Sequence, residues 1–313
     1  MRKILTTLTL LFSVIYAYPQ QDAQFSQNMF NKLAINPGYA GSNDAICGVL
    51  LYRNQWMGFP GSPKTFLFSA EMPIYIIHSG VGLNVTSDKL GFENNLQIKG
   101  SFAYRIPVGT GKLGIGADIG YMQKSLDGTK FIANDPNDPS IQMAAVAGGA
   151  PDFSFGLFYN TTDLYAGVST THLAANSISM DLIKTTMARH YYFMGGYTVH
   201  TKSPNWDIKP SILVKSDGAS TQLDANCLVD YKLNGDGHIW AGASYRIQDA
   251  IVALLGFGKG PFNIGLAYDF TTSEIKNYSS GTPELMLKYC YKPIKVIHTS
   301  RHQDVRNLGR FQK

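Results

Sequence analysis

From Asp44 onward the chain alternates apolar and polar residues with a period of two, stretch after stretch. Over 96–106, Leu96, Ile98, Gly100, Phe102, Tyr104 and Ile106 alternate with Gln97, Lys99, Ser101, Ala103 and Arg105. Over 207–215, Ile208, Pro210, Ile212 and Val214 face away from Asp207, Lys209, Ser211, Leu213 and Lys215. The stretches 220–232 and 262–270 repeat the pattern, with Gln222, Asp224, Asn226, Asp230, Asn263 and Asp269 on their polar faces. Side chains alternate across a strand, so each stretch predicts a β-strand with one greasy and one polar face.

A water-soluble sandwich would alternate too, but three features favour a membrane barrel. The stretches run about 9–13 residues, near the ~9–11 a tilted strand needs to cross a bilayer and above the ~5–6 of an ordinary strand. Charges sit in the middle of polar faces (Lys99, Asp118, Lys209, Asp224), as a wet lumen allows. Tyr52, Tyr104, Tyr121, Tyr231, Tyr245, Tyr268 and Tyr291 lie near strand ends, where interfacial girdles form. We count fourteen strands, beginning near Ala45, Lys64, Gly80, Asn94, Lys112, Asp152, Leu164, Tyr191, Asp207, Ser220, Gly237, Ala250, Phe262 and Thr282. An even count places both termini on the periplasmic side. The longest connections, 128–151 and 173–190, then fall outside the cell beside 271–281, and short turns face the periplasm. The expected architecture is all-β: a single transmembrane antiparallel barrel over 44–291. Two segments are expected outside it, a polar N-terminal stretch at 21–43 and a basic periplasmic tail at 292–313.

Composition sharpens this picture. Only 16% of residues are charged, against about a quarter in a soluble domain, so much of the surface is expected to meet lipid. Arg2 and Lys3 precede an apolar run from Ile4 to Ala17, which reads as a cleaved export signal over 1–20. No later apolar run reaches spanning length, so the expected location is the bacterial outer membrane, held by strands. The formal charge of +5 is spread rather than clustered, which gives no footprint for nucleic acid.

The densest local motifs are Gln24-Phe25-Ser26-Gln27-Asn28-Met29-Phe30-Asn31 and Ile35-Asn36-Pro37-Gly38-Tyr39-Ala40-Gly41-Ser42. Leu51-Tyr52-Arg53-Asn54-Gln55-Trp56-Met57-Gly58-Phe59 opens the barrel. Trp240-Ala241-Gly242-Ala243-Ser244-Tyr245-Arg246, Tyr268-Asp269-Phe270 and Asn277-Tyr278-Ser279-Ser280-Gly281-Thr282-Pro283-Glu284 close it. In order and spacing this set resembles the PorP/SprF family of outer-membrane proteins of the type IX secretion and gliding system, over about 21–291. Asn36, Pro37, Tyr39, Gly41, Arg53, Gln55, Trp56 and Tyr245 carry the likeness, and Lys32 and Gly38 depart from it. The resemblance implies a barrel that works with other components of that system and serves a secreted surface protein bearing a C-terminal sorting domain.

The chemistry of the residues points away from catalysis. Asn36-Pro37-Gly38 is a turn signal, since Pro fixes φ and Gly supplies positive φ; it reads first as an ordinary turn before the first strand, with folding of the N-terminal segment back against the barrel's periplasmic mouth as the alternative. Gly114-Ile115-Gly116-Ala117-Asp118-Ile119-Gly120 lacks the G-x-G-x-x-G spacing of a dinucleotide loop and reads as small residues leaving lumen space. His298 and His302 have no third ligand nearby, the cysteines have no CxxC spacing, and no metal or cofactor is expected. His172, His190, His200 and His238 have no G-x-S-x-G elbow to serve. Cys47 and Cys290 fall in the first and last strands, which leaves a seam disulfide conceivable, with two buried free thiols the expected state. The residues expected to bind a partner are Asp224, Asn226, Ser244, Arg246, Asn263 and Asp269, together with the long outer loops. A passive channel for small solutes or lipids is the second reading and an outer-membrane hydrolase the third.

Overall fold

The computed structural model describes residues 22–131 and 141–292. The expected export signal, and the basic tail beyond residue 292, lie outside the described residues. The strands are β1 (Ile46–Asn54), β2 (Lys64–Ile74), β3 (Ser79–Leu90), β4 (Glu93–Val108), β5 (Gly111–Asp127) and β6 (Ala145–Asn160). They continue as β7 (Leu164–Thr171), β8 (Ser177–Met180), β9 (Ile183–Thr186), β10 (His190–Tyr197), β11 (Val199–His200) and β12 (Trp206–Ser216). The last five are β13 (Thr221–Lys232), β14 (Gly237–Arg246), β15 (Ala250–Lys259), β16 (Phe262–Thr271) and β17 (Thr282–Tyr291).

β10 and β11 both pair with β12 and form one interrupted stave, whereas β8 and β9 pair only with each other. The remaining staves pair antiparallel with their neighbours in sequence, and β1 pairs with β17, closing a fourteen-stave barrel. The predicted faces hold: Leu213 and Asp224 are buried inward, while Ile119 (68% exposed) and Phe262 (63%) stand on the outer surface.

Short turns join the staves at the end where β1 begins and β17 finishes, which we call the turn end. The connections 55–63, 172–189 and 272–281, with the described ends of the one between β5 and β6, gather at the other, the loop end. Two boundaries differ from the sequence reading. β6 begins at Ala145 rather than near Asp152, because β5 and β6 stay paired beyond the other staves, up to Asp127↔Ala145. The 173–190 connection holds the β8–β9 hairpin, which packs Ile178, Met180 and Met187 against Met122, Val146 and Ala150.

Two further expectations are corrected. Cys47 and Cys290 are direct cross-strand partners with Cα atoms 4.1 Å apart, and they form a disulfide across the closing seam. Register brings them together, and register cannot be read from either strand alone. Cys227 is free and exposed on the outer face. The second correction concerns 21–43, which was expected outside the barrel. Its described residues run through the lumen, from Asp22 beside the loop-end residues His172 and Lys215 to Gly41 beside Gly80 at the turn end. Asp22 therefore lies at the end of the barrel opposite Tyr291. A segment without strand partners must satisfy its backbone polar groups when buried, and the polar luminal wall supplies what lipid cannot.

Candidate functional site

The candidate site is the luminal contact between residues 22–43 and the barrel wall, with the cavity left above it. At its turn end, Asn36 caps a short 3-10 turn (Pro37–Tyr39) by accepting from the Gly38 N–H at 2.9 Å. The Asn36 Nδ2 then donates to the backbone carbonyls of Leu157 (3.0 Å) and Val168 (3.2 Å). The turn sits in a recess of the wall where Gly114, Gly116, Gly156 and Gly167 stand. A Cβ on Gly116 would lie 2.4 Å from the Gly38 nitrogen, and one on Gly156 2.2 Å from Asn36 Oδ1. The small residues of the 114–120 run thus leave lumen space that the Asn36-Pro37-Gly38 turn fills. The sequence reading of that turn as an ordinary strand lead-in is corrected by this docking. Nearby, Glu71 accepts from the Gly41 N–H at 2.8 Å and from Asn43.

Higher in the lumen, Ser26 and Gln27 meet a buried charge network. The Glu284 carboxylate accepts both of their backbone N–H groups, each at 2.8 Å. The Arg53 guanidinium donates to Asp269 Oδ2 (2.8 Å), Glu284 Oε2 (3.1 Å) and Ser26 Oγ (2.7 Å). Arg246 donates to Asp269 (2.8 Å), Asp224 (3.2 Å), Asp249 (3.3 Å) and Ser26 Oγ (3.1 Å). The Ser26 hydroxyl donates to Asp269. Arg53 and Arg246 are each 1% exposed, so this network is a buried cluster of alternating charge around the N-terminal segment. Charged hydrogen bonds in such surroundings are strong when every partner is present, and removing one leaves an uncompensated buried charge.

At the loop end, Asp22 is held from several sides. Its carboxylate accepts from Tyr192 Oη at 2.7 Å and Thr171 Oγ1 at 3.2 Å, and pairs with His172 Nε2 at 2.8 Å. Lys215 donates to its backbone oxygen at 3.0 Å. His172 Nδ1 pairs with Asp152 at 3.0 Å. Burial alone would lower the His172 pKa, but the Asp22 and Asp152 carboxylates on either side outweigh it and push it up to about 10. Beside these groups lies a cavity of ≈ 340 Å³ lined by Lys99, Lys124, Lys215, Glu93, Met122 and Tyr192 among others.

The six residues expected to bind a partner all face the lumen. Asp224, Arg246 and Asp269 belong to the charge network. Asn226 donates to Ser211 Oγ at 3.3 Å, Ser244 is buried, and the half-buried Asn263 pairs with His238 at 2.9 Å. In this conformation Arg246 and Asp269 touch the N-terminal segment, not an open lumen. Of the motif residues, Asn36, Pro37, Tyr39 and Gly41 lie in that segment and Arg53 in the network. Gln55 donates from its backbone to Pro63 O, and Trp56 from its backbone to Thr282 Oγ1, each at 2.9 Å. Tyr245 faces outward, 52% exposed. Sequence reasoning missed Asp22, Glu71, Asp152 and Glu284, and it weighed His172 and His190 only as catalytic histidines. Of the missed residues Glu284 carried a signal, as the end of the closing motif.

No curated protein matches the chain in sequence. Among solved structures, the CymD monoaromatic hydrocarbon channel is 12% identical, covering 85% of this chain and 92% of its own, with a TM-score of 0.50. The Ralstonia pickettii toluene transporter TbuX is 10% identical over 83% of this chain and 92% of its own, with a TM-score of 0.49. CdiB from Acinetobacter baumannii is 7% identical over 79% of this chain and 60% of its own, with a TM-score of 0.48. At these identities the likeness to CymD is one of fold. The sequence itself carries more, because residues 17–289 match the model of the type IX secretion system membrane protein PorP/SprF, and the chain belongs to the PorP/SprF family.

Proposed function

We propose that this protein is a non-enzymatic outer-membrane barrel of the type IX secretion and gliding system. It binds a secreted surface protein through that protein's C-terminal sorting domain, or a machinery component, and supports its export or anchoring. The loop end faces the cell exterior and presents the partner's docking surface, while residues 22–43 keep the lumen shut. The observation that carries this reading is a lumen filled by the chain's own N-terminal segment in a member of this family. A filled barrel suits holding better than passing a solute. Arg246, Asp269 and Asp224 then contribute by setting the N-terminal segment under the partner's footing.

Deleting the protein should abolish surface display of one or a few specific large proteins while general secretion and membrane integrity persist. Replacing Arg246 and Asp269 together with Ala should weaken that display at unchanged barrel levels. A deletion strain that keeps its surface proteins but loses uptake of a small solute would replace this reading with the channel one. The channel reading draws on the shared fold with the CymD monoaromatic hydrocarbon channel and on the loop-end cavity. It requires residues 22–43 to leave the lumen.

A further inference from the structure

We infer that Asp22, His172 and His190 form a site for a divalent transition-metal ion, which clamps the start of the luminal segment to the loop end of the barrel. One ligand atom from each of the three lies within 4.8 Å of the others. Two imidazoles and a carboxylate are a common ligand set for zinc and related ions.

The arrangement around the rings supplies the second, independent observation. A metal-binding histidine usually has its other ring nitrogen held by an oxygen acceptor, which fixes the ring's orientation. Both rings show this. His172 Nδ1 is held by Asp152 at 3.0 Å and His190 Nδ1 by the Ala188 carbonyl at 3.0 Å. His172 Nε2 lies 2.8 Å from Asp22 Oδ1, while His190 Nε2 accepts the Asp22 backbone N–H at 3.3 Å, a bond it would release to take the ion, and its Nδ1 lies 3.8 Å from Oδ2. Both rings are buried, 2% and 1% exposed, on either side of the β8–β9 connection. Asp22 comes from the far end of the sequence. A bound ion would therefore tie the N-terminal segment to the neighbouring staves β7 and β10 by coordination as well as by the hydrogen bonds and ring contact already there.

Other groups face the same place. Tyr192 and Thr171 bond the other carboxylate oxygen and would orient it, while Lys215 bonds the backbone oxygen rather than the carboxylate. The ion would take the place of the contact between His172 Nε2 and Asp22 Oδ1. The adjoining cavity has room for the water that completes coordination.

The test uses the full mature chain in detergent, without a polyhistidine tag and with His298 and His302 both changed to Gln. After chelation, Zn²⁺ is titrated by calorimetry and retained metal is counted. One saturable site is expected, with Co²⁺ giving the visible absorption of a low-coordinate nitrogen and oxygen set. Asp22→Asn, His172→Gln and His190→Gln should each abolish it, and Asp152→Asn should weaken it about 10–100-fold. Heat-modified gel mobility shows whether each variant is a folded barrel. Hydrogen exchange at 22–26 should slow on adding Zn²⁺ to the unsubstituted site and stay unchanged in His190→Gln. No saturable binding, or undiminished binding in the folded His172→Gln and His190→Gln proteins, overturns the site. Binding without added protection of 22–26 overturns the clamp.

Discussion

Gly38 has no room for a side chain, since a Cβ there would meet the backbone oxygens of Gly114 and Gly156 at 2.9 Å each. Enlarging the recess side should be as damaging as enlarging the turn. Gly116→Val is expected to expel the 36–38 turn while the staves still pair, and limited proteolysis should then cut within 22–43 of a barrel that keeps its heat-modifiable gel shift. Uncut protein would mean that the recess tolerates the intrusion. Lys32 makes a different case. Its ammonium donates to the Met29 carbonyl at 2.6 Å and sits 4.3 Å from the Tyr165 ring centroid. Burial, with repulsion from Lys288 and Lys209 only partly offset by Glu71, lowers its pKa from 10.5 to about 7. The folded state therefore binds this proton less tightly than the unfolded chain, so charging Lys32 costs stability in full below pH 7. That cost fades as pH rises toward 10.5. Relative to Lys32→Met, the native protein should gain thermal stability between pH 6 and 10, and a pH-independent difference would sink the assignment. The departures at Lys32 and Gly38 were legible in the chain, but their meaning depended on the recess and on Lys288, which lie far away in sequence.

The N-terminal segment, rather than any strand, is the element whose place the sequence hid. Its polar, turn-rich composition reads as exposed when the alternative is lipid. Inside a barrel the wall itself is polar, and the same composition packs. Arg53 ties this element to β16 and β17, and breaking a buried pair costs about 3–5 kcal/mol. Arg53→Met should accordingly raise protease sensitivity at 22–30 far more than Lys209→Ala, whose partner Asp230 also pairs with His238. The strands themselves were legible because a half-buried surface forces alternation. Ile212, on the outer face of β12, makes this testable: Ile212→Arg should destabilise the barrel by about 2–4 kcal/mol near the midplane. Equal tolerance of Ile212→Arg and Lys209→Ala in folding titrations into lipid would reverse the faces. Side-chain ladders such as Arg53–Asp269–Arg246–Asp224 were not legible, since they cross β1, β16, β14 and β13 and depend on the register of each pairing.

At the scale of the whole molecule, a closed wall and a filled lumen decide what the barrel can pass. A fourteen-stave barrel is wide enough to need filling, because barrels of eight strands already enclose only side chains. Here the filling is a chain segment held at its top by Asp22, in its middle by Ser26 and Gln27, and at its base by Asn36 to Gly41. Among the described residues, strand pairing runs from β1 round to β17, so the wall is closed over the height that all staves share. Ion flow therefore has one route, along the axis, and residues 22–43 occupy it. Full-length protein reconstituted in planar bilayers is expected to stay silent. An in-frame deletion of 22–43 that still inserts should give stable conducting steps, because it exposes the charged faces of β4, β13, β16 and β17 to water. The double change of Arg53 and Arg246 to Met should fall between, with intermittent openings as the segment loses its middle anchor. Steady conductance from the full-length protein, equal to that of the deletion, would show that the segment does not seal the barrel and would favour the channel reading over the holding one.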